Sequence, residues 1–404
     1  MAPPGLLGAI IKSILIHLVI GGVVGFSPRQ STIRPIALSL IVLLAASVHR
    51  TIVLWEQHRA LAGMVSTNSF IVAAQVPDLF FHSGVTYNEH YEWLCRTKGH
   101  RPPFTLLQRV RWACAMSKNG RRVGTKWQVV PTHPFDPDRP DYIPTRTSFL
   151  VHRLLTIVLW WIVLYFLGGP PFHFAFPSYI TKEHQEVLLD EYNFAVSALA
   201  SRFWLSMSFM LGLSTLQRVN YNLLSAIAVA LRLSDPEDWP PMKGPFLGTW
   251  SVRRFWGHTW HQMARPIVSP NADFITFSIL RLPRQTIPAR YSRLFFSFLI
   301  SGVLHLFYDE AIGVPRDKGG AMRFFTLQPV AFAVEDLAQW ISKQYDIFTE
   351  DAVLRRLIGY TWFCVWCTII WPIWVFPMMR EPAEGQRLVQ FLHLPLIKQE
   401  SLRG

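Results

Sequence analysis

Charge is what this chain has least of. Only 16% of its 404 residues are Asp, Glu, Lys or Arg, where a soluble protein carries about a quarter. Half of the residues are hydrophobic and the mean hydropathy is positive, which excludes an ordinary water-soluble fold. Acids are scarcer than bases, 26 against 39, giving a net charge of +13. The bases fall in loops between apolar runs rather than on a soluble domain, so they fit the positive-inside rule and not a nucleic-acid partner. Four cysteines, Cys95, Cys114, Cys364 and Cys367, are too few and too scattered for a disulfide framework. Cys364 and Cys367 make a C-x-x-C inside an apolar, Trp-rich run, where thiols pack as small hydrophobes. A membrane prenyltransferase needs two aspartate-rich Mg²⁺ motifs, and only Asp235-Pro236-Glu237-Asp238 offers one. Neither an internal repeat nor a matched pair of interrupted helices is present, which counts against the non-enzyme alternative, a membrane transporter.

What is present is long apolar runs and aromatics, 16 Trp and 29 Phe, the residues that line cavities and mark bilayer interfaces. The expected fold is all-α: a polytopic integral membrane protein of about eight membrane segments, one domain over residues 1–404. The segments are 5–26, read as a retained first span, then 36–55, 63–81, 149–168, 194–216 (continued by a short interfacial helix at 219–233), 294–308, 324–342 and 357–378. The basic loops 82–148 and 232–293 are expected on the cytoplasmic side, and the acidic loop 172–193 on the other.

Chemistry concentrates between Arg253 and Asp309. On a helix, Trp256, Trp260 and Met263 share one face, and Arg254, His258 and His261 another. This pattern fits an interfacial amphipathic helix whose arginines meet lipid phosphates. It fits equally a site where an acyl chain meets the aromatic face and a phosphorylated cofactor the basic one. His258 and His261 have no nearby third ligand, so no metal site is expected. His305 lies inside an apolar helix, with Ser301 one turn before it and Tyr308 and Asp309 one turn after. An ionisable residue inside a membrane segment is a functional candidate, and a neutral imidazole is what a general base for a hydroxyl needs. The alternative is a histidine satisfied by Ser301 or a backbone carbonyl. Upstream, Asn119-Gly120-Arg121-Arg122-Val123-Gly124-Thr125-Lys126-Trp127 reads as a loop turn or as a phosphate contact.

Arg254-Phe255-Trp256-Gly257-His258-Thr259-Trp260-His261, followed by Ser301-Gly302-Val303-Leu304-His305, resembles the wax-synthase-like branch of the membrane-bound O-acyltransferases. There, a D-F-W-G-R-R-W-N motif precedes a helix with S-G-L-M-H-E. The Gly120–Trp127 stretch is similar to the R-G-x-G-x-x-W of fungal members, many of which acylate secondary metabolites. The motifs span about 110–310. In two places the chain departs: His261 stands at the asparagine position, and Leu306 follows the histidine where the family has glutamate.

The resemblance implies direct acyl transfer from acyl-CoA, acetyl-CoA being favoured, to a hydroxyl of a lipophilic acceptor such as a terpenoid. His305 is implied as general base and His261 as a hydrogen-bond donor to the carbonyl oxygen. Arg253, Arg254, Phe255, Trp256, His258, Trp260, Gln262 and Asp309 are implied to bind the donor or acceptor, Asp309 being the nearest carboxylate to His305. Acyl-CoA is a co-substrate, with no bound cofactor, and membrane lipids surround a multi-pass protein of the endoplasmic reticulum. A long-chain-alcohol or sterol fatty-acyltransferase, a wax ester synthase, is the alternative within the same chemistry.

Overall fold

The computed structural model describes residues 4–55, 58–98, 104–129, 132–167, 196–260, 262–346 and 352–380. The longer helices are α1 (Leu6–Phe26), α2 (Ile33–Ile52), α3 (Arg59–Pro77), α4 (Tyr87–Lys98), α5 (Leu106–Met116), α6 (Arg146–Leu167), α7 (Val196–Ala230), α8 (Arg265–Asp273), α9 (Ile287–Ala311), α10 (Ala321–Gln344) and α11 (Ala352–Arg380). No strand occurs among the described residues, so the all-helical class holds.

Among the described residues five helices (α1, α2, α6, α9 and α11) are long and apolar enough to cross a bilayer. That accords with a membrane protein, and the large apolar side chains they leave bare, such as Leu43, Leu155 and Leu357, suit contact with lipid tails. Among the described residues the count of eight is not reached on that measure. The segments expected at 194–216 and 219–233 form one continuous helix, α7. The 294–308 segment begins earlier, at Ile287, where Thr286 caps the helix by accepting the Ala289 N–H and Pro288 occupies the first turn. The acidic loop 172–193 lies outside the described residues.

Two compact units divide the chain. The first, residues 1–132 and 261–312, contains α1 to α5, α8 and α9. Its apolar core joins Ile16, Ile20 and Val24 of α1, Ile41 of α2, and Val76 of α3 with Phe80. Glycines let α1 approach α5 closely: a Cβ on Gly25 would stand 2.8 Å from the Ala113 Cβ. Arg34 is fully buried and donates to four backbone carbonyls, of Pro28 (3.1 Å), Phe80 (2.7 Å), Ser27 (3.3 Å) and Val85 (2.8 Å). A guanidinium has five N–H donors, and this set of acceptors answers the desolvation that burial imposes. It ties the α1–α2 turn to the π-helical turn Asp78–His82 that ends α3.

The Gly120–Trp127 stretch belongs to this unit, where its bases meet acids. Buried Arg122, at a left-handed φ of 54°, pairs with buried Asp78 and reaches Ser83 Oγ at 3.1 Å. Lys126 pairs with Glu89 at 2.8 Å. For these two bases the loop-turn reading fits better than an open phosphate contact.

The second unit, residues 133–260 and 313–404, is built on α6, α7, α10 and α11. Its core is aromatic: Phe324 lies 5.0 and 5.2 Å from the rings of Trp371 and Trp374, and Phe325 5.3 Å from Trp374. Gly320 starts α10 so close to α11 that a Cβ there would stand 1.7 Å from the Ile373 carbonyl oxygen.

Candidate functional site

In the second unit, the motif begins as one α-helical turn, Val252–Arg254, capped by the Ser251 hydroxyl, which accepts the Arg254 N–H at 3.1 Å. It then widens into a π-turn, Phe255–Thr259, and stops at Trp260, whose backbone is extended (φ −70°, ψ 159°). The Trp260 N–H still closes on the Phe255 carbonyl at 2.7 Å, an i→i+5 bond of the kind that recurs at functional sites. The regular 3.6-residue faces expected from the sequence therefore end here. Met263 sits on a separate 3₁₀ turn, Gln262–Ala264.

An acid from another helix holds this turn in place. Glu335 of α10 accepts the Val252 N–H at 2.6 Å and the Arg253 N–H at 3.2 Å, and also the Trp362 indole N–H at 3.1 Å. These backbone N–H groups are the ones a helix start leaves without partners, and a carboxylate there also suits the helix dipole. Asp336 takes the Arg253 guanidinium at 2.6 Å. Arg254 donates to the Gly248 carbonyl at 2.7 Å and lies 3.7 Å over the Trp250 ring. Both arginines thus spend their charge on neighbours within the protein.

Phe255 is buried among Trp256, Trp260, Phe363 and Trp371. Trp256 donates its indole N–H to Gln328 Oε1 at 3.0 Å, and Trp366 donates to the same oxygen at 3.2 Å. Trp260 is buried with the Lys243 ammonium 4.1 Å over its ring. His258 stays exposed, stacked 4.9 Å from His133, whose Nε2–H donates to the His258 carbonyl at 3.0 Å.

The first unit holds the second candidate centre. His305, partly buried on α9, has Nδ1 2.7 Å from the Ser301 carbonyl oxygen. A carbonyl only accepts, so Nδ1 carries the proton and Nε2 is the basic nitrogen of the neutral ring. The satisfied histidine and the base are therefore compatible: the backbone bond selects the tautomer that a base needs. Asp309, one turn further, is buried. Its neighbour Glu310 pairs with His49 of α2 at 3.0 Å, and the His49 ring meets Phe70 and Phe307 edge-on. Gln262 is buried on its 3₁₀ turn. His261 lies outside the described residues.

Glu335, Gln328, Lys243 and His133 escaped the sequence reading. Glu335 and Asp336 had a usable signal, since they are acids inside an apolar segment, the same rule that singled out His305. Lys243 had none, because a lysine in a proline-rich loop reads as solvated. Among the described residues no cluster of three metal-ligating side chains exists.

Comparison with known proteins adds the following. Residues 239–327 match the model of the membrane bound O-acyl transferase family. The acetyltransferase aurG of Calcarisporium arbuscula is 29% identical over 90% of this chain and 90% of its own. The acetyltransferase eriL of Hericium erinaceus is 32% identical over 71% of this chain and 72% of its own. The acetyltransferase pyr8 of Aspergillus fumigatus is 31% identical over 71% and 68%. No solved structure matches the chain significantly.

Proposed function

The chain belongs to the membrane-bound O-acyltransferase family, and on that premise we propose that it transfers an acetyl group from acetyl-CoA to a hydroxyl of a lipophilic acceptor, a terpenoid or related secondary metabolite. The observation that carries the mechanism is the bond from His305 Nδ1 to the Ser301 carbonyl, which puts the proton on Nδ1 and makes Nε2 the basic nitrogen. Nε2 takes the hydroxyl proton as the acceptor oxygen attacks the thioester carbonyl. The C–S bond breaks, and the imidazolium returns the proton to the departing CoA thiolate. His261 is the donor toward the carbonyl oxygen, where charge develops. His258, with the aromatic set Phe255, Trp256 and Trp260, serves donor binding. Arg253 and Arg254 hold the motif through Asp336 and Trp250, and Gln262 and Asp309 line the acceptor side. The membrane is that of the endoplasmic reticulum.

Acetyl is preferred over a fatty acyl donor because the relatives at 29–32% identity are named acetyltransferases. The test is CoA release by purified protein in detergent, with acetyl-CoA or palmitoyl-CoA and a pool of lipophilic alcohols. His305→Ala and His305→Gln are expected to lower alcohol-dependent release by about 10²- to 10⁴-fold. Release by folded His305→Ala equal to the wild type would overturn the base assignment. A preference for palmitoyl-CoA would turn the reading to wax synthesis.

A further inference from the structure

A basic cluster in the second unit contains groups besides His258 that the mechanism does not account for. It surrounds the proline-flanked turn Met242-Lys243-Gly244-Pro245. Lys243 is only 4% exposed. Its ammonium donates to Ser214 Oγ at 2.8 Å and rests on the Trp260 ring at 4.1 Å. Arg218, one helical turn after Ser214 on α7, donates to the Gly244 carbonyl at 3.3 Å. On the other side of the turn stand the stacked rings of His258 and His133: a Cβ on Gly244 would lie 3.1 Å from His258 Nδ1 and 3.0 Å from His133 Cε1. The groups thus run in contact from exposed His258 to buried Lys243.

Neither Lys243 nor Arg218 forms an ion pair with a carboxylate among the described residues. This is costly, since a buried charge gives up its hydration and here gains no counter-ion in return. Burial, with Arg218 adding to it, pushes the Lys243 amine down to about 6. Three further buried polar atoms on the same stretch of α7 have no hydrogen-bond partner: Thr215 Oγ1, Gln217 Oε1 and Arg218 Nε. Thr215 is fully buried. Buried polar atoms in native proteins are nearly always satisfied. Of these, the Thr215 hydroxyl and the Arg218 Nε–H can donate, and bare donors beside two bases without an acid partner fit an anion with several acceptor oxygens.

We propose that Lys243, Arg218 and Thr215, with His258 and His133 at the mouth, form a site for a phosphate ester, and that its occupant is a phosphate of the CoA portion of the donor. The Arg218 guanidinium, a Lys243 amine that a bound anion would hold protonated, and two imidazoles match a group that carries about −1.5 to −2 charge and three acceptor oxygens. The identification with CoA rests on the proposed acetyl transfer, whereas the phosphate chemistry does not. Lys243 also touches Trp260 of the motif, so an occupied site would bear directly on the turn that carries the family signature. A lipid phosphate offers the same chemistry, and the experiment separates the two.

Wild type, Lys243→Met, Arg218→Met and His258→Gln are compared with acetyl-CoA and with acetyl-pantetheine, which lacks the nucleotide phosphates. Loss of a hydrogen-bonded charge is expected to raise KM for acetyl-CoA about 10- to 100-fold while KM for acetyl-pantetheine rises far less, so the preference for the phosphorylated donor narrows. A structural role alone would move both donors equally, and that result overturns the proposal. His258→Gln at the exposed mouth guards against a buried variant that does not fold. Binding is read independently as thermal stabilisation by adenosine 3′,5′-bisphosphate and by nanodiscs of phosphatidate or phosphatidylcholine. Stabilisation by the bisphosphate, lost in Lys243→Met, supports the site even if no acetyl transfer is found, in which case only the reading of the reaction falls. Stabilisation by phosphatidate alone overturns the CoA assignment. Wild-type response in all three variants overturns the site.

Discussion

Glu335 is expected to be worth more to the motif than any residue within it. Its carboxylate accepts three N–H groups, from Val252, Arg253 and Trp362, and Val252 and Glu335 are 1% and 7% exposed. Glu335→Ala strips all three donors of their acceptor. Each buried, unanswered donor costs about 1–3 kcal/mol. Shared relaxation and admitted water reduce the simple sum, so a loss of about 3–5 kcal/mol is expected. That is a large fraction of a total stability of about 5–15 kcal/mol and corresponds to a midpoint lowered by roughly 5 °C for a chain of 404 residues. Glu335→Gln keeps one acceptor oxygen for Val252 and Trp362 but turns an amide donor toward the Arg253 N–H, for a smaller loss of about 1–2 kcal/mol. The assay is thermal unfolding in detergent, followed by acetyl transfer at a temperature where every variant is folded. The expected order is wild type, then Gln, then Ala. If Glu335→Ala unfolds within about 0.5 kcal/mol of the wild type, a difference ordinary for surface changes, the carboxylate does not hold the turn and the reasoning fails.

Two other perturbations test the rest of the structure. His90 is buried, stacked at 5.6 Å on Trp93 and 5.2 Å on Trp112, with Nδ1 lacking a partner, and burial pushes it down to about 4. Because the unfolded chain takes up this proton first, stability is expected to be full above pH 6.5 and to fall as pH drops toward 4. His90→Phe should flatten that part of a melting-temperature profile, and an unchanged acid slope would count against it. Gly320→Ala is expected to prevent folding, its Cβ being 1.7 Å from a backbone oxygen, while Gly257→Ala meets nothing within 4 Å and should melt close to the wild type. Comparable yields of folded protein from both would contradict this.

The membrane class, the main helices and the candidacy of His305 were legible because they depend on local quantities. Runs of apolar residues specify spans whatever they pack against, and a lone imidazole inside such a run, in α9, stands out by itself. The tautomer of His305 was half legible: Ser301 one turn before it put a carbonyl within reach of the ring, and the helix then delivered it at 2.7 Å. Family membership was legible too, carried by the Arg254–His261 and Ser301–His305 motifs.

Other features were decided only by the tertiary structure. The helical faces drawn for 253–263 fail at Trp260 because a π-turn changes the period, and no residue type announces such a turn. Arg253 and Arg254 read as phosphate binders until Asp336 of α10 and the nearby Gly248 and Trp250 come to meet them. Lys243 reads as a solvated loop lysine until α7 and Trp260 enclose it. Sequence spacing reports what a helix or loop offers, whereas the partners of a charge are set by segments far away in the chain. For that reason the sequence by itself determined the kind of protein and its most conspicuous candidate base, and the fold alone decided which charges are answered by other segments of the chain.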